Sequence, residues 1–281
     1  MLFVQQRKAA PDMAASLLAR TAVLGAFLFA ALVGAAQAQQ RTTMAIVYTV
    51  GDTAGLVGVA ENFAPVTDAL SRRLGSPVNV STVSPTNAKG VIESGKVDLL
   101  LLLTSDAWRA QNEHGWRIVA LSSDTSGNIV QMAARKGVNV KDPAGLKGLR
   151  VATSGTFNLD VTTNVLKSRG VVRQVRELRD AKDADALPYF IQNGFTDVVA
   201  TRDENTIKAL AAAGAQVFFK TDVIPVYAVI ASPSLSLERL EAVRNALTGT
   251  RLPSEFTAKT RIRAFQPLNA DHSVALALFD D

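Results

Sequence analysis

The sequence predicts an α/β fold with parallel sheets, and three observations carry that expectation. From Met44 onward, short apolar runs alternate with stretches whose apolar residues recur every three or four positions, the pattern of strands alternating with amphipathic helices. Val97–Leu103 is a nearly continuous apolar run interrupted only by Asp98, which suits a strand covered by helices on both faces. Hydrophobic residues make up 48% and charged residues 20% of the 281 residues, enough apolar material for a core and enough length for two domains.

The elements follow in order. Met44–Tyr48 reads as the first strand and Asn62–Leu74 as a helix, with Phe63, Val66, Leu70 and Leu74 at steps of three and four. Pro65 suits the first turn of that helix and Gly75 its stop. Val78–Val83 is a strand, and Thr86–Ser94 a helix ended by Gly95. After the buried run, Ser105–Asn112 is a helix that Thr104 or Ser105 can cap. Trp116–Ser122 and Ile129–Ala134 are further strands. The second half repeats the style, with strands at Leu149–Thr153, Val175–Leu178, Asp197–Ala200, Gln216–Phe219 and Val226–Ala231. Its helices are Asn158–Ser168, Ala181–Gln192, Glu204–Ala213 and Leu237–Leu247. No low-complexity stretch, long linker or short repeat breaks residues 39–281.

Composition removes several chemistries. There is no cysteine, so disulfides, thiolate catalysis and thiolate metal sites are excluded. The two histidines, His114 and His272, lie far apart, which argues against a histidine-rich metal site. No G-x-S-x-G, Walker loop, H-E-x-x-H or EF-hand pattern is present, and neither histidine has a serine and an acid placed to suggest a triad. The expectation is a protein without enzyme chemistry, metal or cofactor. The net charge of +5 is scattered, unlike the dense basic stripe of a nucleic-acid surface; it is compatible with an anionic ligand or partner.

The N-terminus reads as a secretory signal peptide over residues 1–38. Arg7, Lys8 and Arg20 precede an apolar run from about Thr21 to Val33, and small residues end in Ala36-Gln37-Ala38, the charged, apolar and A-x-A parts of such a signal. Met13 offers an alternative start, and a membrane anchor is the competing reading of the apolar run. The leader accounts for +2 of the charge, leaving +3 for residues 39–281.

Four segments carry a family resemblance. Asn62-Phe63-Ala64-Pro65 runs on to Leu70-Ser71-Arg72-Arg73-Leu74-Gly75-Ser76-Pro77-Val78, Glu93-Ser94-Gly95-Lys96-Val97-Asp98 precedes the buried strand, Leu146-Lys147-Gly148-Leu149-Arg150-Val151-Ala152 opens the second half, and Ile224-Pro225 precedes an apolar strand and a helix starting near Ser236. In this order they resemble the periplasmic phosphate/phosphite/phosphonate-binding family of ABC transporters. The family's Ser-Thr-Ser-Gly-like loop stands here as Thr153-Ser154-Gly155-Thr156-Phe157-Asn158, and its Gly-Pro after the buried strand as Thr104-Ser105. The resemblance implies a two-lobed type II periplasmic binding protein fold with two crossover segments and a ligand in the interlobe cleft. The first lobe would hold residues 41–126 and 234–281 and the second residues 127–233, with crossings near Gly127–Val130 and Ile230–Pro233. The implied function is delivery of a small anionic ligand, a phosphonate- or phosphate-like oxyanion, to an ABC transporter permease by hinge closure, the protein acting as a monomer. The alternative is a periplasmic accessory or sensor-input protein of the same fold that docks on a sensor kinase or periplasmic enzyme and transports no solute.

Candidate ligand residues come from the loops after strands. Helix N-termini present unpaired N–H groups and a partial positive charge, so they hold anions without a lysine. One such terminus follows Leu103, with Thr104 and Ser105; the other follows Thr153, with Ser154, Gly155, Thr156 and Asn158. Thr49 and Gly51, with Val50 and Asp52, follow the first strand, and Gly51 would let backbone approach a ligand. Arg202 follows the strand ending at Ala200 and could fork an oxyanion. Each has a plain structural reading beside the functional one: the hydroxyl residues as helix caps, Gly51 as turn chemistry, and Arg202 as a surface partner of Asp203 or Glu204. Tyr48, Trp108, Tyr189 and Tyr227 are aromatic candidates for the cleft or the core, His114 for a solvated loop, and His272 for a helix cap. The exported chain is expected to begin near Gln39, and intact mass spectrometry of the secreted protein checks this; a retained segment 21–38 in the membrane fraction would contradict it.

Overall fold

Five consecutive leucines, Leu99–Leu103, are all buried, and a strand with no polar face must be covered on both sides. In the computed structural model, which describes residues 41–47, 56–125 and 128–280, that strand is the interior strand β3 of a six-stranded sheet. The other strands are β1 (Thr42–Val47), β2 (Val78–Val83), β4 (Arg117–Asp124), β10 (Tyr227–Ala231) and β11 (Ile262–Gln266), in the order β11-β4-β10-β3-β1-β2. A second sheet takes β5 (Gln131–Ala134), β6 (Arg150–Thr153), β7 (Glu177–Asp180), β8 (Val198–Thr201) and β9 (Gln216–Lys220), in the order β7-β6-β8-β5-β9.

Helices α1 (Leu56–Asn62), α2 (Ala64–Leu74), α3 (Pro85–Ser94), α4 (Thr104–His114), α8 (Leu237–Gly249), α9 (Ser254–Thr260) and α10 (Ala270–Leu276) accompany the first sheet, and α5 (Thr156–Ser168), α6 (Ala186–Gln192) and α7 (Glu204–Ala212) the second. One face of the first sheet packs Met44, Ile46, Leu99 and Leu101 with Leu70 of α2 and Val243 of α8. On the opposite face, Leu100 and Leu102 share a continuous core with Met132 and Val151 of the second sheet and Phe157 of α5. At roughly 25 cal/mol per Å² of apolar surface, this shared core is a large part of what holds the two sheets to one another.

The sheets are mixed rather than parallel, and the crossings explain why. Strands β1, β3 and β4 run in one direction, so β4 ends at the sheet edge where β3 ends. The chain crosses from that edge and starts β5 at the corresponding edge of the second sheet, so β5 runs antiparallel to β8. It returns after β9 and starts β10 antiparallel to both β3 and β4. The second crossing was expected at Ile230–Pro233. Since Tyr227–Ala231 pairs with β3 and β4, the chain has already returned by then, and the crossing is residues 221–226. The two crossing segments lie side by side: Ile224 N donates to Asn128 O at 2.7 Å, Thr221 N to Val130 O at 3.0 Å and Val130 N to Thr221 Oγ1 at 3.0 Å. Residues 126 and 127 of the first crossing lie outside the described residues.

Other differences have local causes. The expected helix 62–74 is split, because Phe63 leaves helical geometry before Pro65 enters the first turn of α2. The expected helix 181–192 begins only at Ala186: Asp180 Oδ1 accepts from Lys182 N at 2.8 Å, Asp183 Oδ1 accepts from Asp185 N at 2.9 Å, and Lys182 turns to a φ of 62°, short-range bonds that compete with a helix. His114 is the last residue of α4 rather than a loop residue. Elements α1, α9 and β11 had no counterpart in the sequence reading; of α10 only the cap region around His272 was expected, and the cap is Asn269, whose Oδ1 accepts from His272 N at 2.8 Å.

Both sheets are pinned by an aspartate at the edge away from the crossings. Asp98 Oδ2 accepts from Thr43 N at 2.7 Å and Thr43 Oγ1 at 2.9 Å, tying β3 to β1. Asp197 accepts from Arg150 Nε and backbone N, both at 3.0 Å, and from Arg150 Nη2 at 2.9 Å, with Arg135 Nη2 at 3.4 Å. The Arg150 side chain holds the Asp197 carboxyl down to about 2. A carboxyl with a depressed folded value contributes stability above its unfolded value and loses it as the pH falls through the folded one. Asp197→Asn is therefore expected to cost about 1–2 kcal/mol at neutral pH, with the deficit vanishing between about pH 4 and pH 2, as urea denaturation across that range would show.

Candidate functional site

The strand ends at the crossing edges face one another. On the first sheet, Thr104 N donates to Val226 O at 2.9 Å and Tyr227 N to Ser122 Oγ at 3.0 Å, so Thr104, Ser122 and the start of β10 form one rim. Asp124 ends β4 on the same rim. On the second sheet, β6, β7 and β8 end at Thr153, Asp180 and Thr201. Two ion pairs join the rims. Arg202 Nη1 meets Asp124 Oδ2 at 3.1 Å, and Arg109 Nη2 of α4 meets Asp160 Oδ1 of α5 at 3.4 Å. Arg109 and Asp160 lie in the second turn of their helices, so this pair ties α4 to α5.

Burial sets the electrostatics. The Asp124 side chain is 1% exposed and that of Arg202 16%. Loss of water pushes the Asp124 carboxyl upward, opposed by Arg202, Ser122 and Arg261. The Arg202 guanidinium also lies 5.5 Å from the ring centre of Phe157, in the first turn of α5. Asp106 is likewise pushed up by burial, Arg109 opposing and Asp160 adding to the effect.

The sequence candidates fall as follows. Tyr48, Thr49, Gly51 and Asp52 lie outside the described residues. Thr104 and Ser105 are buried, and Thr104 Oγ1 has no hydrogen-bond partner among the described residues. Ser154 is half-buried, and its carbonyl accepts from Asn158 Nδ2 at 2.6 Å. That bond commits the Asn158 amide nitrogen, while its buried Oδ1 has no partner among the described residues. Gly155 has a φ of 79°, a region that favours glycine. Its N–H was expected to face a ligand; it donates instead to Asp180 Oδ1 at 2.7 Å, because the carboxylate at the end of neighbouring β7 reaches the start of α5 first. Thr156 is exposed. Arg202 pairs with neither Asp203 nor Glu204: Asp203 is used as the cap of α7, accepting from Thr206 N at 2.7 Å, and Arg202 turns to Asp124.

Among the aromatics, Tyr227 stands at the rim, whereas Trp108 Nε1 donates to Asp280 Oδ1 at 2.6 Å beside the C-terminal turn. Tyr189 is 57% exposed and clusters with Phe190 and Phe195 on the surface. His272 lies in the first turn of α10. Sequence reasoning missed Asp124, Ser122, Arg109 and Asp160. Asp124 carried a usable signal, since it ends an apolar strand just as Leu103 and Thr153 end theirs. Among the described residues, no cluster of three His, Asp or Glu side chains could hold a metal ion, and no helix is long and apolar enough to cross a membrane.

Residues 57–273 match the family described as the periplasmic substrate-binding protein of phosphonate ABC transporters. The chain belongs to that family. This phosphonate-family binding protein is therefore a periplasmic solute-binding component, with a small-molecule ligand and an ABC permease as its partners, and its family is one of transport rather than catalysis. No curated protein matches it. Among solved structures it is similar to XAC2383 from Xanthomonas citri bound to ATP, at 12% identity and a TM-score of 0.64, over 86% of this chain and 96% of that one. It is similar to PhnD1 from Prochlorococcus marinus in complex with methylphosphonate, at 14% identity and a TM-score of 0.56, over 85% and 97%. It also resembles the aliphatic sulphonate binding protein SsuA from Escherichia coli, at 16% identity and a TM-score of 0.51, over 86% of each chain. At these identities the likeness establishes the type II periplasmic binding protein fold.

Removing Arg202 tests the tie between the sheets. Arg202→Gln leaves the Asp124 carboxylate buried without its cation, and an expected loss of about 2–4 kcal/mol in urea denaturation at neutral pH follows. Asp124→Asn combined with Arg202→Gln should recover most of it. The single variant's deficit should shrink on acidification, because protonation removes the stranded charge.

Proposed function

We propose that the protein captures a small oxyanion of the phosphonate class between its two rims and presents it to the permease. The lobes would be residues 42–124 with 227–280, and residues 131–220, hinged at the paired crossing segments and acting as a monomer after export through the cleavable signal. One observation carries the reading. Helices α4 and α5, which start at the two rims, are tied to each other by Arg109 and Asp160 beside the Arg202–Asp124 pair, with buried polar atoms such as Thr104 Oγ1 and Asn158 Oδ1 lacking partners among the described residues. Partial positive charge and a guanidinium suit an anion, and buried polar atoms without partners are costly in a cleft that serves no ligand. The family description and the methylphosphonate held by PhnD1 support the same ligand class. Closure follows from differential affinity: a ligand bridging both rims favours the closed state by what it gains there.

Methylphosphonate should raise the melting temperature progressively with its concentration, by the equivalent of about 2.7 kcal/mol at a hundredfold excess over Kd. Thr104→Val removes a hydroxyl that has no partner in the described structure. Ligand-free stability should change by less than about 1 kcal/mol, while methylphosphonate affinity falls about tenfold, read by denaturation and isothermal titration respectively.

A further inference from the structure

Basic residues that are scattered along the sequence are gathered by the fold. The connections from β5 to β6 and from α5 to β7 both cross the edge of the second sheet away from the crossings. Backbone bonds stitch them into one surface. Gly148 N donates to Gln174 O at 2.8 Å, Arg176 N to Leu149 O at 2.9 Å, Arg135 N to Asp197 O at 2.9 Å and Asp197 N to Arg150 O at 3.0 Å. Residues 135–150 and 167–179 with Asp197 hold ten lysines and arginines against three acids, a net +7. Residues 39–281 carry +3 in all, so the remainder stands at −4. Asp197 and Glu177 engage Arg135, Arg150 and Arg179. Lys136, Lys141, Lys147, Arg169, Arg173 and Arg176 are exposed and have no ion pair among the described residues. Aromatic rings stand beside these cations. The Arg179 guanidinium lies 4.7 Å from the ring centre of Phe190, which packs with Tyr189 and Phe195. Phe195 N donates to Phe190 O at 2.9 Å just before Asp197, so the rings sit at the same edge. Tyr189 is 57% exposed and Phe195 48%. Neither feature stabilises the fold: like charges repel, and exposed rings forgo burial.

We propose that this end of the second sheet binds an anionic phospholipid surface. Lysines and arginines near such a surface are drawn to it, and aromatic rings settle at the level of its headgroups. Coulombic attraction joined to a small apolar contact is the chemistry of a face that lies on a bilayer without entering it. A second copy does not fit here, since +7 would meet +7. An acidic protein would have to offer carboxylates in a fixed pattern matching cations on two separate connections. Lipid headgroups diffuse to wherever the cations stand and need no pattern. The permease partner also places a bilayer within the protein's reach. Contact at this end leaves the rims, at the opposite ends of the same strands, free of the bilayer.

The test is sedimentation of the exported protein with vesicles of phosphatidylcholine alone, or with about one-third phosphatidylglycerol, at about 0.05 M and about 0.5 M salt. The anionic vesicles should bind about tenfold or more tighter than the neutral ones, and about tenfold or more weaker at the higher salt. Arg169→Glu, Arg173→Glu and Arg176→Glu together should weaken binding to anionic vesicles about a hundredfold or more. Arg72→Glu, Arg73→Glu and Lys96→Glu make the same change in net charge on the side of the first sheet, and should cost less than about threefold. Tyr189→Ser with Phe195→Ser should remove the binding that survives high salt. Equal losses in the two charge-reversed variants would assign the binding to net charge and overturn the proposal. Equal binding to both kinds of vesicle, or to neither, would also overturn it; saturable binding of polyglutamate without vesicle binding would give the surface to an acidic protein instead. Should the first triple variant fail to fold, Lys136→Glu, Lys141→Glu and Lys147→Glu on the other connection make the same test.

Discussion

A carboxylate shut away from water needs a cation, and for Asp124 that cation comes from the other sheet. The pairing with Arg202 makes the end of β4 and the end of β8 one surface rather than two. It also turns Arg202 away from its sequence neighbours Asp203 and Glu204 and over the ring of Phe157. The start of α4 and the head of β10 belong to the first rim, through Thr104 N to Val226 O, and the start of α5 meets the joined rims where Phe157 lies under Arg202. The second pair, Arg109 with Asp160, is more exposed, at 28% and 23% for the side chains; water screens it, so it contributes less. It aligns the two helices more than it holds the sheets.

The two sheets solve one problem in the same way. Ser94-Gly95-Lys96-Val97-Asp98 leads into β3, and Asn193-Gly194-Phe195-Thr196-Asp197 leads into β8, with Gly95 and Gly194 both at positive φ. In each case the glycine closes a helix end, and the aspartate then bonds the neighbouring strand at the sheet's far edge. Each sheet thus carries one aspartate that pins two neighbouring strands at the edge away from the crossings. At the crossing edges, Thr104 Oγ1 and Asn158 Oδ1 are buried and have no hydrogen-bond partner among the described residues.

Internal competition also shapes the rim. Asp180 takes the Gly155 N–H and so places a carboxylate at the first turn of α5. The C-terminal turn adds a third link between the sheets: buried Phe279 joins their shared core, and Asp280 accepts from Trp108 and Asn112 of α4.

By itself the sequence determined the character of most segments, because periodicity and glycine punctuation are local. Leu99–Leu103 had to be a covered strand, Gly75 and Gly95 had to stop helices, and Thr104 and Ser154 had to follow strand ends. It also carried the family, through motifs read in order along the chain. Direction and partnership were decided only by the tertiary structure. Nothing local shows that β5 and β10 run against their neighbours, since a strand's own residues do not record which edge the chain enters from. The second crossing was misplaced for that reason. The same holds for charge: Arg202 is separated from Asp124 by 78 positions, and its nearest acids in sequence were the natural candidates. A buried ion pair is chosen by which groups lose their water together, and that is settled only when two sheets close on one another.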